Sequence, residues 1–377
     1  MSGKTLKTMA AAGLTAASFV AISNGVASAQ GVALTGSISQ SFQIRDNFNL
    51  ADIGTDLDSV TTLSTQISSE TERYQLSLGS NVAIRANPAL DASVTQPSFR
   101  LNFATTQNRS VNFNLNASYI ERDVSFDEVQ PDLTTLTLSG ERRRVNAGIG
   151  TSIPLLRDTN LNLGANVAFT DFSEDSPSLI GSTTTGLNAG INHQFTTRTS
   201  GGINSSVRFF DPQTGGIEST STNVSVNVNH ALTGTSSANG SIGLSFTDNE
   251  TNSDNNTNIT FNAGYSEQLA LGAFSASATQ NVVPSSTGAL NLNTVFRASF
   301  DRQVNSRQNV GVNGVISLQN VLGGGNNSTF FSFTPRYSYS LLDDLSANAA
   351  YTVRFDDDGD LSQNFSLTLT KDFNLPF

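Results

Sequence analysis

From residue 35 onward the chain alternates between apolar and polar positions. In "TGSISQSFQIR" (residues 35–45), Gly36, Ile38, Phe42 and Ile44 fall on one side and Ser37, Ser39, Ser41 and Gln43 on the other. In "SVNFNLNASYI" (residues 110–120), Val111, Phe113, Leu115, Ala117 and Tyr119 share a face, with Asn112, Asn114, Asn116 and Ser118 opposite. Residues 159–170 and 186–195 repeat the pattern. A period of two places successive side chains on opposite faces of a sheet. One face is continuously apolar and the other is rich in Asn and Ser, as expected of a strand between lipid and water.

The connections are of two kinds. Short ones, of roughly two to six residues, fall near residues 69–71, 107–108, 156–158, 196–198, 233–235, 269–270, 303–305 and 342–344. Longer ones span 46–58, 86–96, 123–132, 173–181, 211–217, 248–255, 283–286, 323–327 and 357–360. The two kinds alternate. That predicts an all-β fold, a transmembrane up-and-down antiparallel β-barrel of about eighteen strands, or about sixteen if the weak second and thirteenth strands are misassigned. Segments of about 10–15 residues are long enough to cross a membrane when tilted, and an even count puts both termini on the periplasmic side. The sixth strand reads as longer (residues 133–155), with its first half above the membrane. A bulge is expected where the parity shifts between Leu136 and Leu138 on one hand and Val145, Ala147 and Ile149 on the other. Pro335 sits mid-strand, where it conflicts with a closed ladder unless a bulge absorbs it or the strand is misplaced. A weak internal repeat relates "INHQFTTRTSGGINSSVRF" (191–209) to "VNHALTGTSSANGSIGLSF" (228–246), one hairpin unit used twice.

Composition agrees with this pattern. Only 14% of the 377 residues are charged, yet only 37% are apolar, whereas a soluble domain carries about a quarter charged residues. Ser, Thr, Asn and Gly make up the difference. A secreted β-sandwich or adhesin shares that composition but has no need for short and long connections in alternation. The absence of Cys excludes disulfides and thiol chemistry. The net charge of −11 argues against a nucleic-acid partner. The first 29 residues read as a signal peptide: Lys4 and Lys7, an apolar run over residues 9–22, and a small-x-small site at Ala27 and Ala29. The mature chain is then expected to begin at Gln30, leaving 30–377 as one barrel domain.

The last segment, "LTLTKDFNLPF", alternates through Phe373, Leu375 and Phe377. With the signal peptide and the hairpin pattern, it resembles bacterial outer-membrane β-barrel proteins of the porin-like kind. The "FTTRTSGG" turn also resembles large-barrel families associated with exopolysaccharide systems. The resemblance implies that Phe373, Leu375 and Phe377 form the assembly signal read by the barrel-assembly machinery. Two positions depart from it. Pro376 removes a ladder donor, and Lys371 sits on the apolar face, where its stem must reach the headgroups.

Candidate chemistry is sparse. Strand parity points Arg100, Arg208, Arg297, Arg336 and Arg354 into the pore, against few inward acids, Asp301 and Asp372 being the clearest. Such a wall favours anions. Alternatively, each Arg pairs with an acid of an inward-folded loop, such as Asp127 or Glu128. Arg142, Arg143 and Arg144 lie at the outer rim and either clamp lipopolysaccharide phosphates or simply extend the strand into water. His193 and His230 occupy equivalent places in the repeat, on the lipid side of the interface. Phe195 and Leu232, not Ser, lie two residues on, so neither reads as part of a triad. All six Tyr fall on the lipid face. The acidic stretches at 171–177, 248–256 and 356–360 lack a calcium-loop spacing and read as solvated charge. No enzyme, metal or cofactor is expected. Two functions remain open: a passive diffusion pore for small hydrophilic solutes, or a non-conducting structural or polysaccharide-export-associated barrel. A loop folded into the lumen would separate them, with residues 46–58 and 123–132 as candidates. The expected surroundings are outer-membrane lipid and lipopolysaccharide, the assembly machinery, and small solutes.

Overall fold

The computed structural model describes residues 32–46, 55–86, 92–105, 111–123, 141–173, 180–213, 218–249, 252–284, 290–322, 327–357, 359 and 361–376. The signal-peptide segment, Phe377, the first half of the long sixth strand with its bulge, and Asp127 and Glu128 lie outside them. The strands are β1 Val32–Asp46, β2 Thr55–Glu70, β3 Tyr74–Ala86, β4 Ala92–Thr105, β5 Asn112–Asp123, β6 Glu141–Leu156, β7 Thr159–Phe172, β8 Ser182–Gln194 and β9 Thr199–Pro212. They continue as β10 Ser219–Ala231, β11 Ser236–Asn249, β12 Asn252–Leu269, β13 Gly272–Pro284, β14 Leu290–Asn305, β15 Gln308–Leu322, β16 Ser328–Leu342, β17 Leu345–Asp356 and β18 Leu361–Pro376.

Each strand pairs antiparallel with its sequence neighbours, and β1 pairs with both β2 and β18, so the 18-stranded sheet closes. The second and thirteenth strands are real, which settles the count at eighteen rather than sixteen. The burial pattern of a soluble protein is inverted. Ile38, Leu63, Ile149, Ile191, Ile203, Ile242 and Leu367 are exposed, forming an apolar outer band, while many of the buried side chains are polar. A barrel places its hydrophobic face in lipid and its polar face in the lumen, so exposure here marks the outside.

The segment expected as a long loop at 248–255 is mostly strand, since β11 and β12 are separated only by residues 250–251. Pro335 is absorbed without a register shift. It pairs with Val312 on one side. On the other, the β16–β17 ladder runs from Phe333 with Val353 directly to Arg336 with Ala350. A hydroxyl–hydroxyl bond between Thr334 and Thr352 (3.0 Å) spans that gap. The strand is therefore correctly placed, and in place of a bulge there is a short interruption of the ladder. The sequence repeat is also a structural one. Phe195 N–H donates to Thr199 (2.9 Å) as Leu232 N–H donates to Ser236 (3.0 Å), and the His193 and His230 Nδ1 atoms meet Thr159 and Thr199 hydroxyls at 2.8 and 2.9 Å.

Candidate functional site: the lumen

Alternation along the strands sorts the arginines. Arg100, Arg208, Arg297, Arg336 and Arg354 are all on the lumen parity of their strands, opposite exposed outward neighbours such as Phe209, Phe296, Tyr337 and Phe355. Their environments differ. Arg336 is bidentate on Asp301, with Nε at 3.2 Å and Nη2 at 2.5 Å from Oδ1. The pair reaches over β15 at Gly311, the residue in register with both Asp301 and Arg336. A Cβ at Gly311 would fall 2.6 Å from Arg336 Nε, so the glycine makes the space that the ion pair fills. Arg208 donates to the Val282 carbonyl at 3.1 Å, with Arg144 a second positive charge nearby. Among the described residues, Arg100 and Arg297 form no ion pair and are exposed to the lumen.

The alternative reading paired the lumen arginines with acids of folded-in loops. For Arg336 the partner is instead a wall residue, Asp301. Parity also divides the rim cluster. Arg142 and Arg144 turn to the lumen, and only Arg143 turns outward, where it lies 3.6 Å from Glu121 and 3.4 Å from Glu141. A common clamp by all three is therefore incompatible with the period of the strand.

The bond from Arg208 reveals an inward element that sequence reasoning missed. β9 and β13 are four strands apart, roughly 19 Å along the wall at about 4.8 Å per strand. A single arginine side chain cannot span that distance, so the end of β13 must leave the wall. The pairing agrees: β12 and β13 separate beyond Phe261 and Gln280, while β13 and β14 stay paired up to Pro284 and Leu290. The loop-side end of the β13–β14 hairpin leans over the lumen, and Asn291 there is 0% exposed. A cavity of about 270 Å³ lies beneath it, lined by Arg208, Asn223, Thr260, Gln280 and Val282 among others. The available signal was apolar residues on both parities (Val282 beside Val283, Leu292 close to Val295), which a strand with one wet face does not carry.

Other inward side chains at the loop-side ends are buried as well: Arg45, Asp58, Arg85, Thr247 and Gln319. Arg45 and Asp58 form an ion pair with Arg45 only 2% exposed. Inward residues of the opposite half, such as Asn227, Asn188 and Arg336, are more open. The lumen is thus wide at the turn end and narrow at the loop end.

At the seam, the Phe373 ring lies over Gly36, its register partner in β1, leaving no room there for a Cβ. Lys371 faces outward and pairs with Asp344 in the β16–β17 turn, which satisfies the charge that the apolar face cannot. Among the described residues no group of His, Asp or Glu is placed to hold a metal.

A closed eighteen-stranded barrel with a lipid-facing apolar band and a polar interior is an outer-membrane barrel of the porin type. No family model matches the chain, and no curated protein does. Solved structures do. Pseudomonas aeruginosa OpdO superposes with TM-score 0.54 at 10% identity, covering 92% of this chain and 98% of that one. P. aeruginosa OccK2 (OpdF) in complex with glucuronate gives TM-score 0.53 at 10% identity, covering 92% and 98%. Acinetobacter baumannii OccAB4 gives 0.52 at 10%, covering 92% and 99%. At these identities the likeness is one of fold.

Proposed function

We propose that this protein is a passive outer-membrane diffusion channel for small hydrophilic solutes, with a lumen that favours anions. The observation that carries this reading is the largely polar inner face on which Arg100 and Arg297 stand exposed without an acidic partner among the described residues. Unpaired cations in a narrow, low-dielectric passage raise the local concentration of anions. Arg336 contributes less, because Asp301 neutralises it. The likeness in fold to a barrel solved in complex with glucuronate agrees with a small polar solute. The test is single-channel conductance in a planar bilayer with a potassium chloride gradient. Steady openings with a reversal potential on the anion side support the proposal, and cation preference removes the second half of it.

A second reading, a non-conducting barrel of structural or export-associated role, is favoured by one observation. The β13–β14 hairpin leans inward, and loop-end residues such as Gln319 are 1% exposed. Silence from folded protein would select it. Under either reading we assign assembly to the terminal strand through Phe373, Leu375 and Phe377, tested by exchanging the aromatic residues for Ala and measuring insertion. Contact with lipopolysaccharide phosphate falls to Arg143, whose charge is already shared with two carboxylates. Arg143→Ala should therefore change lipopolysaccharide co-purification only modestly.

A further inference from the structure

The lumen has two unlike walls. Below the loop end, β14 through β4 carry the charged side chains of the pore interior, among them Arg297, Asp301, Arg336, Arg354, Asp372 and Arg100. From β5 to β13, below the rim arginines and Arg208, the inward positions are uncharged and, Pro154 apart, carry Asn, Gln, Ser, Thr, Gly and Ala. On β5–β8 this wall has a regular construction. Asn116 lies over Gly148 of the next strand, Asn114 over Gly150, Asn166 over Gly186 and Asn188 over Gly164; a Cβ at Gly148 or Gly164 would meet the carboxamide oxygen at 2.7 or 2.6 Å. Register puts Asn114, Gly150, Gly164 and Asn188 in one row across four strands. Each glycine removes a side chain so that a carboxamide can lie flat along the wall.

These carboxamides are chemically unspent. Farther round, Asn204 donates to Asn227 and Asn239 to Asn262, both at 2.8 Å. By contrast, Asn114, Asn116, Asn166 and Asn188 make no side-chain hydrogen bond among the described residues, and all four are exposed to the lumen. Together with Asn112 and Asn162 they line a hollow of about 540 Å³. A flat carboxamide offers two donors and two acceptors in one plane. An array of them, with no charged or aromatic side chain on the inner face below the rim, matches a ligand that presents adjacent hydroxyls and no charge.

We propose that the β5–β8 inner wall is a track for neutral polyhydroxylated solutes, that is, sugars and short uncharged glycans. This rests on the channel reading for its role in transport, but binding itself does not require conduction. Without aromatic faces to stack on, each contact is a hydrogen bond exchanged against water, and such bonds are individually weak. Binding in the millimolar range and fast release suit a passage rather than a store.

The experiment is calorimetric titration of the folded, detergent-solubilised barrel with maltohexaose, alongside a hexameric galacturonate of similar length. Maltohexaose should bind, and the triple variant N114A/N166A/N188A should weaken it about tenfold, the effect of losing a few ordinary hydrogen bonds. Gly164→Ala, which displaces Asn188 without deleting it, should act in the same direction. Heat-modifiable gel mobility establishes that each variant is folded. Absence of maltohexaose binding, equal binding by the triple variant, or a decisive preference for the charged oligomer overturns the proposal. Potassium chloride conductance on the same samples tests the channel reading separately, so an open pore that ignores maltohexaose refutes only the track, and a silent barrel that binds it refutes only the channel.

Discussion

Arg336 holds Asp301 across an intervening strand, and Gly311 between them is the reason it can. The pair stands in the open part of the lumen, with side-chain exposures of 45% and 32%. Exposed ion pairs contribute only about 0–1 kcal/mol to stability. The expected effect of Asp301→Asn is therefore on permeation: the barrel folds, Arg336 is released, and the reversal potential moves further toward chloride. Gly311→Leu should have the same electrical sign, by placing a side chain where the guanidinium lies. A shift toward potassium in either variant contradicts the arrangement.

Arg100 and Arg297 carry the proposed anion preference. Replacing both by Gln should lower the chloride-to-potassium permeability ratio toward unity. The difference between wild type and variant should shrink in 1 M salt, where the screening length falls to about 3 Å. Bilayer measurements at low and high salt decide this.

Arg45 and Asp58 form a buried pair near the loop end. Removing one partner strands the other charge, a cost of about 3–5 kcal/mol. Arg45→Ala should lower the temperature at which the folded band is lost on gels, and Arg45→Met with Asp58→Leu should recover most of the loss. Equal damage from the single and double variants would mean that packing, not charge, is the cause.

Lys371 and Asp344 make a pair outside the membrane, at the β16–β17 turn. The hydrogen bond from Lys371 holds the Asp344 carboxyl below its ordinary range. A depressed carboxyl contributes stability above its unfolded pKa of about 3.9, and loses that contribution as pH falls through the lower folded value. Wild type should lose thermal stability on acidification below about pH 4 more steeply than Lys371→Met. Parallel pH profiles for the two proteins would show that the pair has no energetic role.

Much of this fold was legible in the sequence because its two solvents impose a two-residue period. Ile38 against Ser39, or Leu115 against Asn116, identifies the wall and its sides without any knowledge of the third dimension. The inward arginines followed from the same rule. Their partners did not, because partnership depends on register: Asp301 and Arg336 meet only because both are in register with Gly311. The buried pair of Arg45 and Asp58 was missed because Asp58 fell in a segment read as loop. The β13–β14 hairpin escaped because its end is packed on both sides, and a segment without a wet face loses the period that marks a strand. The flat Asn–Gly rows were present as letters in the sequence, yet their meaning lies across strands rather than along them.

The seam between β1 and β18 has a kinetic consequence. Every other pairing joins neighbours in sequence, and a hairpin can form as soon as its second strand exists. The seam joins residues as distant as Ser41 and Thr368, 327 positions apart and hydrogen-bonded at 2.9 Å. The search entropy for so large a ring is concentrated in one event. Until that event the growing sheet carries two raw edges, and afterwards it has none. Of all the pairings in the wall, the seam therefore closes the largest loop, and Phe373 seated over Gly36 lies on the surface where the first and last strands meet.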